Sequence, residues 1–330
     1  MQQNQNWMTG VVVFLTSLGF FTIGLGSQEI IGFESRFYLF LLEMWRHGGG
    51  FFPTAYGQAY PDYPASAIWL MYVLAKTVGV VNKWVAVYPS AIAASMTVAV
   101  TYAIGVLRDK RVGILASGFL CLTLAFVSEA RTISLDMYPT LMTALCFYVM
   151  YSATIFRCYL RLYWLPLLWI VGFVFRGPLG FVIPVSVVFV FYLFEKDWKK
   201  LFVLTTSALV ILIACCSALL YFAYLTGGES FMQEVIRMQF SGRMQANQTP
   251  PFYFYFVESI GAYALTYPLV LFCVFYFRKK IYFRSICDEV IRLDAYYSHW
   301  FKYPRRQKNS LYFTHCASVS FIMRRGIFIS

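Results

Sequence analysis

GFESRFYLFLLEMWRHGGGFFPTAYGQAYPDYPASAI, residues 32–68, decides how this chain is read. The stretch follows the first apolar run, so it lies beside a membrane. It sets Glu34, Arg36, Glu43 and Asp62 among aromatic rings and closes on Tyr60-Pro61-Asp62-Tyr63-Pro64. Acidic groups near lipid cost free energy unless a partner or a task holds them there. Two separated carboxylates, a nearby arginine and many rings suit a polar, phosphate-bearing substrate tethered in the bilayer.

The rest of the composition agrees with a membrane setting. The chain has 330 residues, of which 60% are hydrophobic, 20% aromatic and 13% charged. A soluble domain is about half apolar and about a quarter charged. The chain is therefore an integral membrane protein of all-α class, a multi-span helical bundle. Its net charge of +12 does not imply a nucleic-acid partner. The basic residues fall in short clusters between apolar runs, where they set topology. The 8 cysteines show no paired metal spacing, and 3 histidines are too few for a His-rich metal site. Cys121, Cys215 and Cys216 lie inside apolar runs and read as small buried hydrophobes.

Apolar runs predict spans at 8–26, 84–107, 112–127, 137–156, 162–175, 179–194, 201–225 and 257–277. Arg108-Asp109-Lys110-Arg111, Arg157 with Arg161, Lys196 with Lys199-Lys200, and Arg278-Lys279-Lys280 fall on one side, the cytoplasmic one. The segments 27–83, 128–136, 176–178 and 226–256 then face outward. That parity leaves no crossing for 65–77, which is predicted to be a re-entrant or interfacial helix. Residues 35–47 also read as interfacial, with Arg36, Glu43 and His47 on one face and Phe37, Phe40, Leu41 and Met44 elsewhere. Gly48-Gly49-Gly50 ends that helix. The N-terminus lacks a basic signal-peptide region, so 8–26 is read as a retained first span. The expected location is a multi-pass plasma (inner) membrane, with the site facing the periplasm or the outside.

The chemistry-bearing residues gather on the outward segments. Glu34 and Arg36 open the interfacial helix, where a carboxylate also complements the helix dipole. Asp62, held between prolines, is either a turn residue or an aimed carboxylate, with Tyr63 packing on sugar or lipid. Arg131 and Asp136 bracket the turn SEARTISLDMYP; they are either a mutual ion pair or a phosphate ligand and an orienting acid. Arg176-Gly177-Pro178 splits an apolar stretch and places a guanidinium at the bilayer edge, where a hairpin alone needs none. Glu234, Arg237 and Arg243 precede the run Pro250-Pro251-Phe252-Tyr253, either as an interfacial helix with an aromatic belt or as further substrate contacts. Asn247-Gln248-Thr249 matches a glycosylation sequon by chance.

These residues resemble a known family. Glu34-Ser35-Arg36-Phe37, Glu43-Met44 and residues 60–64 look like the first outer loop of membrane glycosyltransferases with the C-type fold. The kin are protein O-mannosyltransferase-like (family 39) bacterial enzymes and the aminoarabinose transferases that modify lipid A. Ala130-Arg131, Asp136-Met137, the basic-Gly-Pro at 176–178 and the Pro-aromatic run at 250–255 match as well. The resemblance covers roughly residues 8–280. Where the family reads Asp-Glu-x-Arg-Tyr, this chain has Phe33 at the Asp position; its lysine is Tyr63, and one of its paired prolines is Ala65.

The resemblance implies transfer of a sugar, with inversion, from a polyprenyl-phosphate donor to a lipid, glycan or protein acceptor. The acceptor hydroxyl then needs a base, and the departing phosphate needs positive charge. On that reading Glu34, alone or with Asp62, is the base and Asp136 is an orienting or second carboxylate. Arg36, Arg131 and Arg176 hold phosphate, and Tyr63, Arg237 and Arg243 add substrate contacts. No cofactor is established, and a divalent metal beside Asp62 is left open.

After Lys280 the membrane pattern stops. Residues 281–330 read as a basic, atypical tail, either the product of a frameshift or a cytoplasmic extension, set apart from a multi-span domain over 1–280. The competing readings are a transporter or flippase of a lipid-linked substrate and an inactive truncated remnant. A transporter would place ionisable or broken positions near mid-membrane in repeated halves, which the sequence does not show.

Overall fold

The computed structural model describes residues 2–27 and 33–241, together with positions 263, 266, 268, 269 and 272. The described residues up to 266 belong to one compact unit. The expected span 257–277, the boundary at 280, the 281–330 tail and Arg243 lie outside the described residues or almost wholly so.

Among the described residues the chain is a helical bundle with one minimal strand pair. Helix α1 (Gln2–Thr22) packs on α4 (Lys83–Val106), which also meets α3 (Ser66–Val78), α5 (Lys110–Leu122) and α7 (Met137–Ile155). The sequence explains why α4 is central. Ala86, Ser90, Ala91, Ala94, Ser95 and Thr97 are buried small residues that let neighbouring backbones come close. Asn82 caps α4 by accepting the Val85 N–H at 3.0 Å. Helix α5 approaches closely, since a Cβ on Gly105 would stand 2.4 Å from the Gly113 Cα.

Helix α2 (Phe33–His47) carries Glu34 in its first turn and Arg46 and His47 in its last, both favourable to the helix dipole. Phe37, Phe40, Leu41 and Met44 are buried, as its amphipathic pattern predicts. Gly48, at φ 83°, ends it in the left-handed conformation that glycine adopts without strain. A two-residue antiparallel ladder, β1 (Thr54–Ala55) with β2 (Gln58–Ala59), then turns the chain back. No strand was expected there. Helix α3 has 13 residues, about 20 Å at 1.5 Å per residue, too short to cross a bilayer core of about 30 Å.

The expected single span 112–127 is instead broken. Helices α5 and α6 (Leu124–Ala130) meet at an angle of 73°. Thr123, with ψ at 108°, leaves the helical region and makes the bend, which an apolar run does not reveal.

The segment α8 (Trp164–Phe194) is two helical arms that fold back on each other at Gly177, whose φ is 61° and ψ −148°. Trp169 and Phe181 lie 6.1 Å apart, and a Cβ on Gly172 would stand 2.3 Å from the Gly180 carbonyl oxygen. A straight helix would separate residues eight positions apart by about 12 Å. The two arms, 164–176 and 178–194, are the two short runs expected from sequence, joined by the expected turn. Helix α9 (Trp198–Ile236) breaks at Gly227 and Gly228, close to the predicted span end at 225. The loop around Phe51 and Phe52 clasps α9: Phe51 stacks on Phe222 at 4.4 Å, and Phe52 meets Phe231 at 5.2 Å.

Candidate active site

Four separate pieces of chain meet at one end of the bundle: the start of α2, the loop 60–64, the turn 129–136 and the fold of α8 at 176–177. Their side chains gather in a partial ring of contacts. Arg36 Nη2 stands 3.7 Å from Asp62 Oδ2, and its Nη1 donates to the Tyr60 hydroxyl at 3.2 Å. The guanidinium also lies over the Phe37 and Tyr60 rings, at 5.1 and 5.5 Å. Asp62 is buried, with a residue exposure of 6%, so the ring is built around a carboxylate held away from water.

Arg176 closes the other side. Its Nε lies 2.7 Å from Asp136 Oδ1, and its Nη2 donates to Oδ2 at 3.2 Å. Its Nη1 donates to the Tyr63 hydroxyl at 2.6 Å, and the guanidinium sits 4.8 Å from the centre of that ring. Burial raises the Tyr63 pKa, the Asp62 charge adds to the rise, and Arg176 and Arg36 oppose it. The phenol therefore keeps its proton, and its oxygen accepts from Arg176 beside the Asp62 charge.

Glu34 faces the turn. Its Oε2 accepts the Ile133 N–H at 3.5 Å. Burial raises its pKa, the Ile133 bond opposes the rise, and the nearby Glu129 charge adds to it. Glu129 itself accepts the Ser134 hydroxyl at 2.5 Å, which fixes the turn. Ser90 on α4 fixes it again, donating to the Ser134 carbonyl and accepting the Ser134 N–H, each at 3.1 Å.

The structure sorts the predicted residues. Arg36, Asp62, Tyr63, Asp136 and Arg176 come together, and Glu34 joins them through the turn rather than by pairing with Asp62. Arg131 does not join the ring. Its Nη1 donates to the Phe20 and Phe21 carbonyls at 3.4 and 3.5 Å, satisfying the C-terminal end of α1. The alternative of an Arg131–Asp136 ion pair fails for the same reason, since Asp136 pairs with Arg176. Arg237 is exposed and borders an open cleft of about 750 Å³ with Gln58, Thr226 and Glu234.

One ring member was missed. Gln239 is buried, and its Nε2 donates to Asp62 Oδ1 at 3.0 Å. A Cβ on Gly177 would stand 3.3 Å from the Gln239 Oε1, so this side chain bridges the first loop and the α8 fold. Its Oε1 has no hydrogen-bond partner among the described residues. Nothing in a glutamine 177 positions from its partner signals that contact.

As for a metal, no three His, Cys, Asp or Glu side chains gather around a common point among the described residues. Asp62 faces the donors Arg36 and Gln239, a poor setting for a cation.

No protein-family profile matches the chain. An uncharacterized protein of Aquifex aeolicus (strain VF5) is 24% identical over 274 residues, which make up 82% of this chain and 53% of that protein. The structure of ArnT from Cupriavidus metallidurans bound to undecaprenyl phosphate superimposes with a TM-score of 0.57 and 16% identity. The apo form gives the same TM-score with 17% identity. Each covers 80% of this chain and 48% of the ArnT chain. The chain thus spans about half the length of the proteins it matches. At such identity the likeness establishes architecture alone: a multi-span, predominantly helical membrane fold shared with ArnT.

Proposed function

We propose that the chain transfers a sugar from a polyprenyl-phosphate donor to an acceptor, at the membrane face opposite its basic turns. By the charge pattern that face is the outside or periplasm of a plasma (inner) membrane. The ring of Arg36, Asp62, Tyr63, Asp136 and Arg176 supports this reading most directly. It sets two partly buried guanidiniums near one another, in a fold shared with a protein solved with undecaprenyl phosphate.

In this reading the acceptor hydroxyl oxygen attacks the anomeric carbon from the side opposite the phosphate. The sugar–oxygen bond to phosphate breaks, and its electron pair leaves with the phosphate oxygen. Arg36 and Arg176 stabilise that developing anion, and guanidinium forks match phosphate better than ammonium does. The hydroxyl proton goes to Glu34, whose raised pKa makes it a better base than an ordinary carboxylate. Asp136 has a side-chain exposure of 61%, against 20% for Arg176. Asp136 is therefore the partner a phosphate can displace, holding the guanidinium in place until the lipid arrives. Asp62, fixed by Arg36 and Gln239, is an organiser of the arginine rather than a group free to move.

The test is selective binding. The full chain in detergent is titrated with undecaprenyl phosphate and with uncharged undecaprenol, and retention is read by native mass spectrometry. The phosphate is expected to be preferred, with the preference erased in Arg36→Ala/Arg176→Ala. Equal retention of the two lipids by the unmodified protein overturns the proposal.

A further inference from the structure

A second cleft, of about 840 Å³, opens at the far ends of α7 and of the α8 arms, away from the ring. Its lining includes Arg157, Lys199 and Lys200, the rings of Tyr159 and Tyr163, and apolar side chains such as Leu204. Among the described residues no carboxylate lines it. The nearest counter-charge in the contacts is Asp197, whose Oδ2 lies 2.8 Å from Lys200 Nζ. Among the described lining residues, cations outnumber carboxylates. Lys200 Nζ also sits 4.0 Å from the centre of the Tyr159 ring, which holds an aromatic face toward the same space.

The two turns bordering the cleft share an unusual choice. Helix α7 ends with Cys158 N–H bonded to the Ala153 carbonyl, and α8 ends with Asp197 N–H bonded to the Tyr192 carbonyl. In this kind of helix end the residue before the donor adopts positive φ, a position that favours glycine. Here it is Arg157 at φ 51° and Lys196 at φ 53°. Both turns thus place a cation where backbone sterics prefer glycine.

We propose that this cleft seats the headgroup of an anionic glycerophospholipid from the leaflet at that end of the bundle. The phosphate meets Arg157 and Lys199, and the proximal acyl chains lie along Tyr163 and Leu204. The combination matches the chemistry of such a lipid: cations at the level of the headgroup and an apolar wall beside it. A soluble phosphate would use the cations but leave the apolar wall unused. The site is independent of the ring and of the transfer reaction.

The experiment uses the full chain reconstituted in phosphatidylcholine alone or mixed with phosphatidylglycerol, followed by detergent exchange and native mass spectrometry. Phosphatidylglycerol is expected to be retained over phosphatidylcholine. Arg157→Gln/Lys199→Gln should weaken that retention roughly 30-fold, from about a factor of five per basic residue near a charged membrane surface. Lys199→Arg should restore it in the Arg157 background, and thermal melting checks that each variant is folded. Lys110→Gln/Arg111→Gln, at another basic turn, should leave retention unchanged. Three results overturn the proposal: equal retention of the two lipids, an equal loss in the Lys110/Arg111 variant, or displacement by glycerol phosphate at concentrations that match the lipid's own affinity.

Discussion

Replacing Gly172 with Ala makes the same chemical change as replacing Gly118 with Ala, yet the structure gives the two opposite signs. Both glycines lie inside helices. Gly118 has nothing within 4 Å of an added Cβ. There alanine reduces the freedom of the unfolded chain without a clash and should stabilise by about 0.4–1 kcal/mol. At Gly172 the new Cβ would stand 2.3 Å from the Gly180 carbonyl oxygen and 3.8 Å from the Met142 Cβ. Ordinary carbon–oxygen contact begins about 1 Å further out, and backbone cannot rotate away as a side-chain tip can. The two α8 arms must part by that amount. Overpacking of this kind costs about 1–3 kcal/mol, which outweighs the entropic gain.

The strain also reaches the ring, because Arg176 stands at the fold between the arms. A displacement of about 1 Å can cost roughly 10²-fold where geometry is fixed. Gly172→Ala should therefore melt earlier than the unmodified protein and bind undecaprenyl phosphate more weakly. Gly118→Ala should melt later and bind it equally. The assay is thermal unfolding in detergent paired with lipid titration. If Gly172→Ala melts at or above the unmodified temperature, the arms do not pack as described and the hairpin argument is wrong.

Arg176→Ala removes the charged hydrogen bond that a lipid phosphate would accept from this guanidinium, worth about 1.5–3 kcal/mol, which is roughly 10–150-fold in lipid-phosphate affinity. Unchanged affinity would limit Arg176 to holding Asp136 and Tyr63. Glu34→Gln should cut transfer by about 10²–10⁴-fold if Glu34 is the base. The same variant has a stability signature: because the folded pKa is raised, ionised Glu34 destabilises the protein as pH climbs above the ordinary value of 4.5. The Gln variant should therefore be the more stable at neutral pH, with the difference vanishing below that value. A variant less stable at neutral pH would deny the burial. Gln239→Leu should loosen the buried Asp62 and lower the melting temperature, with Gln239→Glu worse still because it sets two carboxylates together. Equal melting of all three forms would show that this bridge holds nothing.

The sequence by itself determined the membrane class, the helix at 84–107 within a residue at each end, the amphipathic face of α2 and the two short apolar arms around Arg176-Gly177-Pro178. These are local properties. Hydrophobic period, capping residues and glycine or proline breaks act over a turn or two of chain, so they can be read in order. The sequence also placed the charged residues at one end of the bundle, because apolar runs alternate with loops. What it left open was which charge meets which. The sequence offered Arg131 as an ion-pair partner for Asp136, but Arg131 satisfies the end of α1, and Arg176, 40 positions on, takes the carboxylate. Glu34 went to a backbone N–H of a distant turn, and Asp62 went to Gln239. The bend at Thr123 and the contact of Gly172 with Gly180 were equally invisible. Pairings like these depend on how helices cross and how closely backbones approach, and only the packing of the whole bundle fixes that.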